Sequence, residues 1–464
     1  MPQSDQMTGS SRNNGAADVL FTPIQLGPLE VRNRLFRSSI AGRFDNYDGS
    51  GTPVRINWDL KFARGGAGAI ISSNAPVSVR GRLVPGYALS DHDDKIPFWR
   101  EVGRRIHEHD CKYILQLAHA GRERLVGGIE YPTGLSSTSK AEPMNGFRCT
   151  SMTTAEIREV IDQFAQAARR AREAGLDGVE LAGANGVLFT QFLSSAINDR
   201  KDEWGGPLEN RARFALEVVR AVKREAGDDF CLGFKISLRE HLNEIFPWLP
   251  KGNSIEESLR VCRWLEEAGV HYFHVSAGAE FPHPRNPAGE FPVHDMIKTY
   301  DGLISEGKYT FRNYLLFRWW PSNVLWKRHW EKPARDAGGP EGINLPDARE
   351  LKKISKIPVL VTGGFQTASF IRGAIERGDC DAVTMARTLV ANPDLPNLFA
   401  AGLDRAPRPC TYCNKCLFTF IENPLGCYDE RRFDSREEMV RQIMSVYEPY
   451  TPPTRAGAAS EVVA

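Results

Sequence analysis

The sequence predicts a (β/α)8 TIM barrel carrying a long insertion after its sixth strand and a cysteine-rich C-terminal extension. Short apolar runs recur at residues 35–39, 69–73, 113–117, 178–181, 232–236, 272–276, 359–362 and 382–385. Such runs suit strands buried on both faces, and eight of them favour a closed barrel over an open sheet. Between most of them lies a helical pattern that closes on glycine, as in Glu173-Ala174-Gly175, Glu225-Ala226-Gly227, Glu267-Ala268-Gly269 and Glu376-Arg377-Gly378. Glycine accepts the left-handed conformation that ends a helix. The runner-up is a doubly wound sheet, but no Gly-x-Gly-x-x-Gly follows the first run.

The 464 residues exceed what a single small domain needs. Lys plus Arg (59) nearly cancels Asp plus Glu (58), so the formal charge of +1 makes no case for nucleic acid and points to a small-molecule partner. No apolar run is long enough to span a bilayer. Residues 1–18 are polar, lack the apolar stretch of a secretory signal, and are expected to lie outside the core; the expected location is the cytoplasm.

The barrel is expected over residues 19–403. Two connections exceed the ~30 residues of a bare strand-helix-strand unit: residues 132–154 after strand three and 279–345 after strand six. Both follow the C-terminal end of a strand, where barrels build their sites, so they read as walls or lids. The second holds Trp319, Trp320, Trp326 and Trp330 among basic residues. That pattern suits a lid over a bulky apolar substrate, an interfacial membrane anchor, or helices packed on the barrel or another subunit. Residues 404–449 form the cysteine extension and 450–464 a tail.

Loops after strands seven and eight commonly grip a phosphate in such barrels. Here they read Thr362-Gly363-Gly364-Phe365 and Met385-Ala386-Arg387, with Arg387 adding a fork of donors. The plain alternative is that both simply make turns. Cys410, Cys413, Cys416 and Cys427 follow a C-x2-C-x2-C-x10-C spacing that suggests metal or cluster ligation in a reducing compartment. A cubane cluster, a zinc ion and unligated thiols all remain open.

Over roughly residues 21–403 the chain resembles the Old Yellow Enzyme family of FMN-dependent oxidoreductases. The matching stretches are Arg32-Asn33-Arg34, the Gln116-Leu117-Ala118-His119-Ala120-Gly121-Arg122 run, Asn198 to Gly206 leading to Glu209-Asn210-Arg211, Gly363-Gly364, and Ala386-Arg387-Thr388. The resemblance implies that Ser38, Ser39 and Asn74 lie against the flavin, and that Gln116 bonds its pyrimidine portion, donating to O2 and accepting from N3–H. It implies that Lys235, where the family more often has arginine, stabilises reduced flavin near N1 and O2. Gly363, Gly364, Ala386 and Arg387 would hold the phosphate. His119 reads as a structural histidine in a tight turn.

One departure matters. The family usually follows strand four with a pair of carbonyl-holding side chains and a tyrosine proton donor. This chain keeps only Asn185; Ala182 and Val187 stand at the other two positions. Replacement groups are sought in Arg239, His241, His274, Glu280 and His283. His274 and Glu280, with Asn185, are the expected catalytic residues, because the chain resembles the branch of 2,4-dienoyl-CoA reductase and trimethylamine dehydrogenase, which draws on strand six. The cysteine run resembles that branch's [4Fe-4S] segment.

The expected activity is ene-reductase-like: hydride transfer between NAD(P)H, flavin and an unsaturated hydrophobic carbonyl or thioester. One alternative is a flavin/iron-sulfur dehydrogenase that oxidises an amine or saturated substrate and passes electrons to a redox partner. A flavin-binding protein without turnover is another. Oligomeric state stays open, a homo-oligomer included.

Overall fold

The computed structural model describes residues 18–40, 42–124, 131, 133–420 and 423–448. The expected N-terminal segment, except Asp18, and the tail at 450–464 lie outside the described residues. Eight parallel strands close into a barrel: β1 (Leu35–Arg37), β2 (Ala69–Ile71), β3 (Lys112–Ala118), β4 (Gly178–Gly183), β5 (Cys231–Ser237), β6 (Tyr272–Ser276), β7 (Val359–Thr362) and β8 (Ala382–Met385). Each pairs with the next, and β8 returns to β1 through Thr384 opposite Phe36. All eight apolar runs are barrel strands.

The outer helices form where local chemistry directs them. Thr153 and Ser254 each open a helix with a reciprocal capping box, to Glu156 and Glu257, which satisfies otherwise orphaned backbone donors. The four expected stop glycines, Gly175, Gly227, Gly269 and Gly378, all have positive φ. Alanine-rich faces of the helices Thr154–Glu173 and Leu208–Ala226 then pack closely against the strands and each other.

The barrel interior is filled in layers. At the N-terminal end a hairpin (Ile24–Leu26 with Leu29–Val31) plugs the mouth, packing apolar side chains on Phe36, Ile71, Ile114, Leu360 and Ala382. Above that plug lies a polar layer centred on Glu180. Tyr272 crosses the interior to donate its hydroxyl to Glu180 Oε2 at 3.1 Å. It has room because its neighbour in register on β5 is Gly233.

The connection after β6 contributes three helices, Val293–Leu303, Thr310–Arg318 and Trp320–Asp336. Phe291, Tyr300, Phe317 and Trp330 gather them into a small core of their own with Phe418 of the C-terminal extension. Tyr300 donates to Asn145 Oδ1 at 2.6 Å and Asn313 to the Met144 carbonyl at 2.8 Å, tying these helices to the long loop after β3. Among the described residues no helix is long and apolar enough to cross a membrane.

Gly233→Ala should expose how tight the polar layer is. The new Cβ would fall 2.1 Å from the Tyr272 ring, so the ring must move off Glu180. We expect a loss of about 1–3 kcal/mol, read as a lowered Tm; an unchanged melt would mean that Tyr272 is not needed there.

Candidate active site

At the C-terminal end of the strands a single cavity of about 1190 Å3, including its mouth, is lined by Ser38, Ser39, Asn74, Gln116, Lys235, Gly363, Gly364, Ala386 and Arg387, together with Asn185. The structure thus brings these residues, contributed by most of the strand ends, to one place. Apolar groups complete the wall: Ile40, Leu83, Val187, Phe281, Leu417 and Phe420.

Beneath the cavity, the Glu180 carboxylate organises the floor. Gln116 Nε2 donates to its Oε1 at 2.6 Å, and His274 Nδ1 lies 3.0 Å from its Oε2. Burial acts to raise the Glu180 pKa, but His274, Lys235 and Gln116 outweigh it and hold the group below the usual carboxylate range. Burial pushes the Lys235 ammonium below its ordinary range, against the pull of Glu180. Lys235 Nζ donates to Ser39 Oγ at 3.2 Å. Because a carboxylate only accepts, Gln116 must turn its amide nitrogen to Glu180, which leaves its carbonyl oxygen for the cavity. One amide hydrogen is thereby spent within the barrel, and the second remains for the cavity beside the carbonyl oxygen.

His274 is not on the cavity wall. It is fully buried, and its Nε2 lies 2.8 Å from Thr384 Oγ1, so both ring nitrogens are engaged. With Glu180 accepting at Nδ1, Thr384 donates to Nε2, and burial holds the ring neutral by lowering its pKa. The structure thus places His274 beneath the cavity, engaged with Glu180 and Thr384, rather than on the wall where a catalytic group is expected. Glu280 is also set back from the cavity. It is 1% exposed and ion-paired to Arg122, while Glu123, from the loop after β3, stands on the wall instead. Of the other replacement groups, Arg239 pairs with Asp347 and His241 with Glu244, and the His283 ring is buried against the His241 carbonyl. His119 is buried, with Nδ1 accepting from the Gly121 N–H at 3.1 Å, and burial takes its pKa down to about 3.

Asn185 and Gly186 both adopt positive φ (66° and 82°), turning the chain sharply past β4. Asn185 Nδ2 reaches only long contacts, 3.4 Å to Ser276 Oγ and 3.5 Å to the Ala277 carbonyl. Ala182 and Val187 pack on Ala118 as a small apolar patch.

Residues 19–301 match the model of the NADH:flavin oxidoreductase / NADH oxidase family. The chain belongs to that family. It is 30% identical over 417 residues to an NADH oxidase of Thermoanaerobacter brockii, covering 90% of this chain and 54% of that protein. It is 35% identical over 263 residues to an N,N-dimethylglycine/sarcosine dehydrogenase of Chromohalobacter salexigens, covering 56% of this chain and 37% of that one. A solved structure of 2-naphthoyl-CoA reductase with 2-naphthoyl-CoA shares the fold at a TM-score of 0.72 and 24% identity, over 88% of this chain and 56% of that chain. The chain spans about half the length of such curated relatives.

The four clustered cysteines line a second, smaller cavity with Asn414, Asp429 and Arg432. Arg387 lines both cavities. Arg432 Nη1 donates to Cys427 Sγ at 2.9 Å, and the Tyr412 N–H reaches Cys410 Sγ at 3.5 Å. Among the described residues no group of three His, Cys, Asp or Glu side chains is arranged to hold a single metal ion. A reciprocal amide clasp docks this segment on the barrel: Cys410 N–H donates to Gln366 Oε1 at 2.9 Å and Gln366 Nε2 to the Cys410 carbonyl at 3.1 Å.

Sequence reasoning missed several wall residues: Tyr87, Glu123, Arg285, Asn286 and Thr388. Only Thr388 had a local signal, its place beside Arg387. The four insertion tryptophans, by contrast, do not line the cavity: Trp330 is buried in the helical cluster, and Trp319 and Trp320 are 64% and 73% exposed. The ends of the insertion, at Phe281 to Pro287 and at Asn344, form the wall instead.

His274→Leu tests the positioning role. It leaves a buried carboxylate short of a donor, and we expect a loss of about 3 kcal/mol in chemical denaturation. Wild-type stability combined with lost turnover would return His274 to a catalytic role.

Proposed function

We propose that the chain is an FMN-dependent oxidoreductase that moves hydride between NAD(P)H, flavin and an unsaturated hydrophobic carbonyl or thioester. The observation that carries this is the convergence of all nine expected cofactor residues on one cavity that also offers apolar wall from Ile40, Leu83, Val187, Phe281, Leu417 and Phe420. The site fits the group in detail. Thr388 Oγ1 is buried beside Arg387 without a partner, and a phosphate oxygen would supply one. Gly364 has φ +73°, and any Cβ there would lie 2.8 Å from the Pro340 carbonyl, so its backbone forms a close cradle. The free carbonyl oxygen of Gln116 matches the imide N–H of a flavin, and Lys235 places positive charge by the same edge. FMN, when bound, supplies reversible two-electron hydride chemistry at N5.

Cys410, Cys413, Cys416 and Cys427 are the residues that would hold a [4Fe-4S] cluster. All four line one cavity, and three of them within a seven-residue loop support a multi-iron cluster over two separated zinc knuckles. The shared Arg387 also favours a second reading, a dehydrogenase that hands electrons from flavin to the cluster and on to a redox protein.

An anaerobic absorbance spectrum with flavin, iron and sulfide analysis, followed by NADH and NADPH titration, separates these readings. Bleaching by a nicotinamide supports the reductase. Bleaching by an amine or saturated substrate alone supports the dehydrogenase, and no reduction by either leaves a flavin-binding protein. Arg387→Ala should strip FMN; equal flavin retention by variant and wild type counts against the phosphate assignment. Cys413→Ser should remove iron and leave FMN bound.

A further inference from the structure

We propose that Glu123 is the proton donor of this site, a neutral carboxylic acid in the cavity wall that protonates the carbon next to the one receiving hydride. The inference rests on the reductase reading above. It begins from a charge imbalance in the loop after β3. Among the described residues three buried carboxyl groups, Glu123, Glu142 and Glu280, gather about the buried guanidinium of Arg122. Two of the three are pinned as acceptors. Arg122 Nη2 donates to Glu280 Oε1, and Glu142 takes the Met144 N–H at 2.7 Å and the Asn145 N–H on its two oxygens.

Glu123 has no such partner. Among the described residues its Oε1 and Glu280 Oε2 are both buried without a donor, and the two carboxyl groups act on each other at short range. Two carboxyl groups can share a hydrogen bond only if one carries a proton. Arg122 makes Glu280 the acceptor, so the proton belongs to Glu123. Burial first, then Glu280 and Glu142, push the Glu123 pKa well above the carboxylate range. Among the described residues Cys149, from the strand Cys149–Ser151, and Tyr300 also face this cluster.

Glu123 lines the same cavity as Gln116, Lys235 and Asn185, and the nearby Ala182 and Val187 offer no acid. With FMN bound, hydride drawn from NAD(P)H would be supplied to one carbon of an activated C=C. The Glu123 O–H bond breaks as a C–H bond forms at the adjacent carbon. The carboxylate left behind lies against Glu280, which makes it basic enough to recover a proton from water.

The test compares holoenzyme and Glu123→Gln. The Gln amide is the shape of the neutral acid and can donate to Glu280, so the variant should fold. As pH rises above the ordinary carboxylate range the unfolded state releases this proton while the folded state keeps it, so wild type loses stability and the variant escapes the loss. Its Tm relative to wild type should therefore rise between pH 5 and pH 8. With NADPH-reduced enzyme, reoxidation by 2-cyclohexen-1-one should slow about 100-fold in the variant relative to its own reoxidation by 1,4-benzoquinone, which needs no C–H bond. Equal enone rates in variant and wild type, or a loss of that size in Tyr87→Phe in place of Glu123→Gln, would overturn the proposal. If reduced wild type reacts with no enone, the reductase reading fails by itself. The protonated state is then decided by infrared difference spectra at pH 8, where wild type minus variant must contain a neutral carboxyl stretch; its absence overturns the assignment.

Discussion

A carboxylate sealed inside a barrel must find donors for its oxygens, and Glu180 sets the terms for everything above it. Gln116, Tyr272 and His274 each turn a hydrogen toward it, while Lys235 lies close enough to balance its charge. These residues come from β3, β5 and β6, so the carboxylate on β4 ties together side chains of four adjacent strands. The fixed amide of Gln116 and the placed ammonium of Lys235 then become part of the cavity floor. Gly233 belongs to the same constraint, because Tyr272 reaches Glu180 only across the space a side chain would fill.

The buried carboxyl groups around Glu180 and around Glu280 differ in how they are matched. Around Glu180 the donors suffice, and the carboxylate is held ionised. Around Glu280 they do not: one guanidinium serves three carboxyl groups, and a proton has to make up the difference. The matched acid is deep in the barrel and serves as scaffold. The unmatched cluster reaches the wall of the cavity, where a stored proton can meet a ligand.

The C-terminal extension packs Phe420, Leu425 and Val446 into the main core and is further tied to its surroundings through a few polar side chains. Gln366 clasps the Cys410 backbone, and Arg432 Nη2 donates to the Ala391 carbonyl at 2.8 Å and to Asn392 Oδ1 at 2.9 Å. Arg387 adds a third tie, its Nη1 donating to Asn414 and, at 2.6 Å, to the Ala288 carbonyl. A residue that closes the end of β8 thereby also borders the cysteine cavity, so the two sites share one guanidinium.

The barrel and most of the cavity residues were readable from the chain because they obey local rules. Parallel strands are continuous apolar runs, helices stop at glycine, and the Gly363-Gly364 and Ala386-Arg387 loops keep their character wherever they are placed. The cysteine spacing is equally local. What only the tertiary structure decided is which polar groups meet. His274 and Glu280 occupy plausible sequence positions, yet one is spent on Glu180 and Thr384 and the other on Arg122. Glu123 carries no local signal at all, since its neutrality comes from Glu280 and Glu142, which are far away along the chain and close only after folding. Periodicity and turn chemistry act between near neighbours, whereas the protonation of a buried acid depends on the sum of charges around it, a quantity that exists only once the barrel has closed.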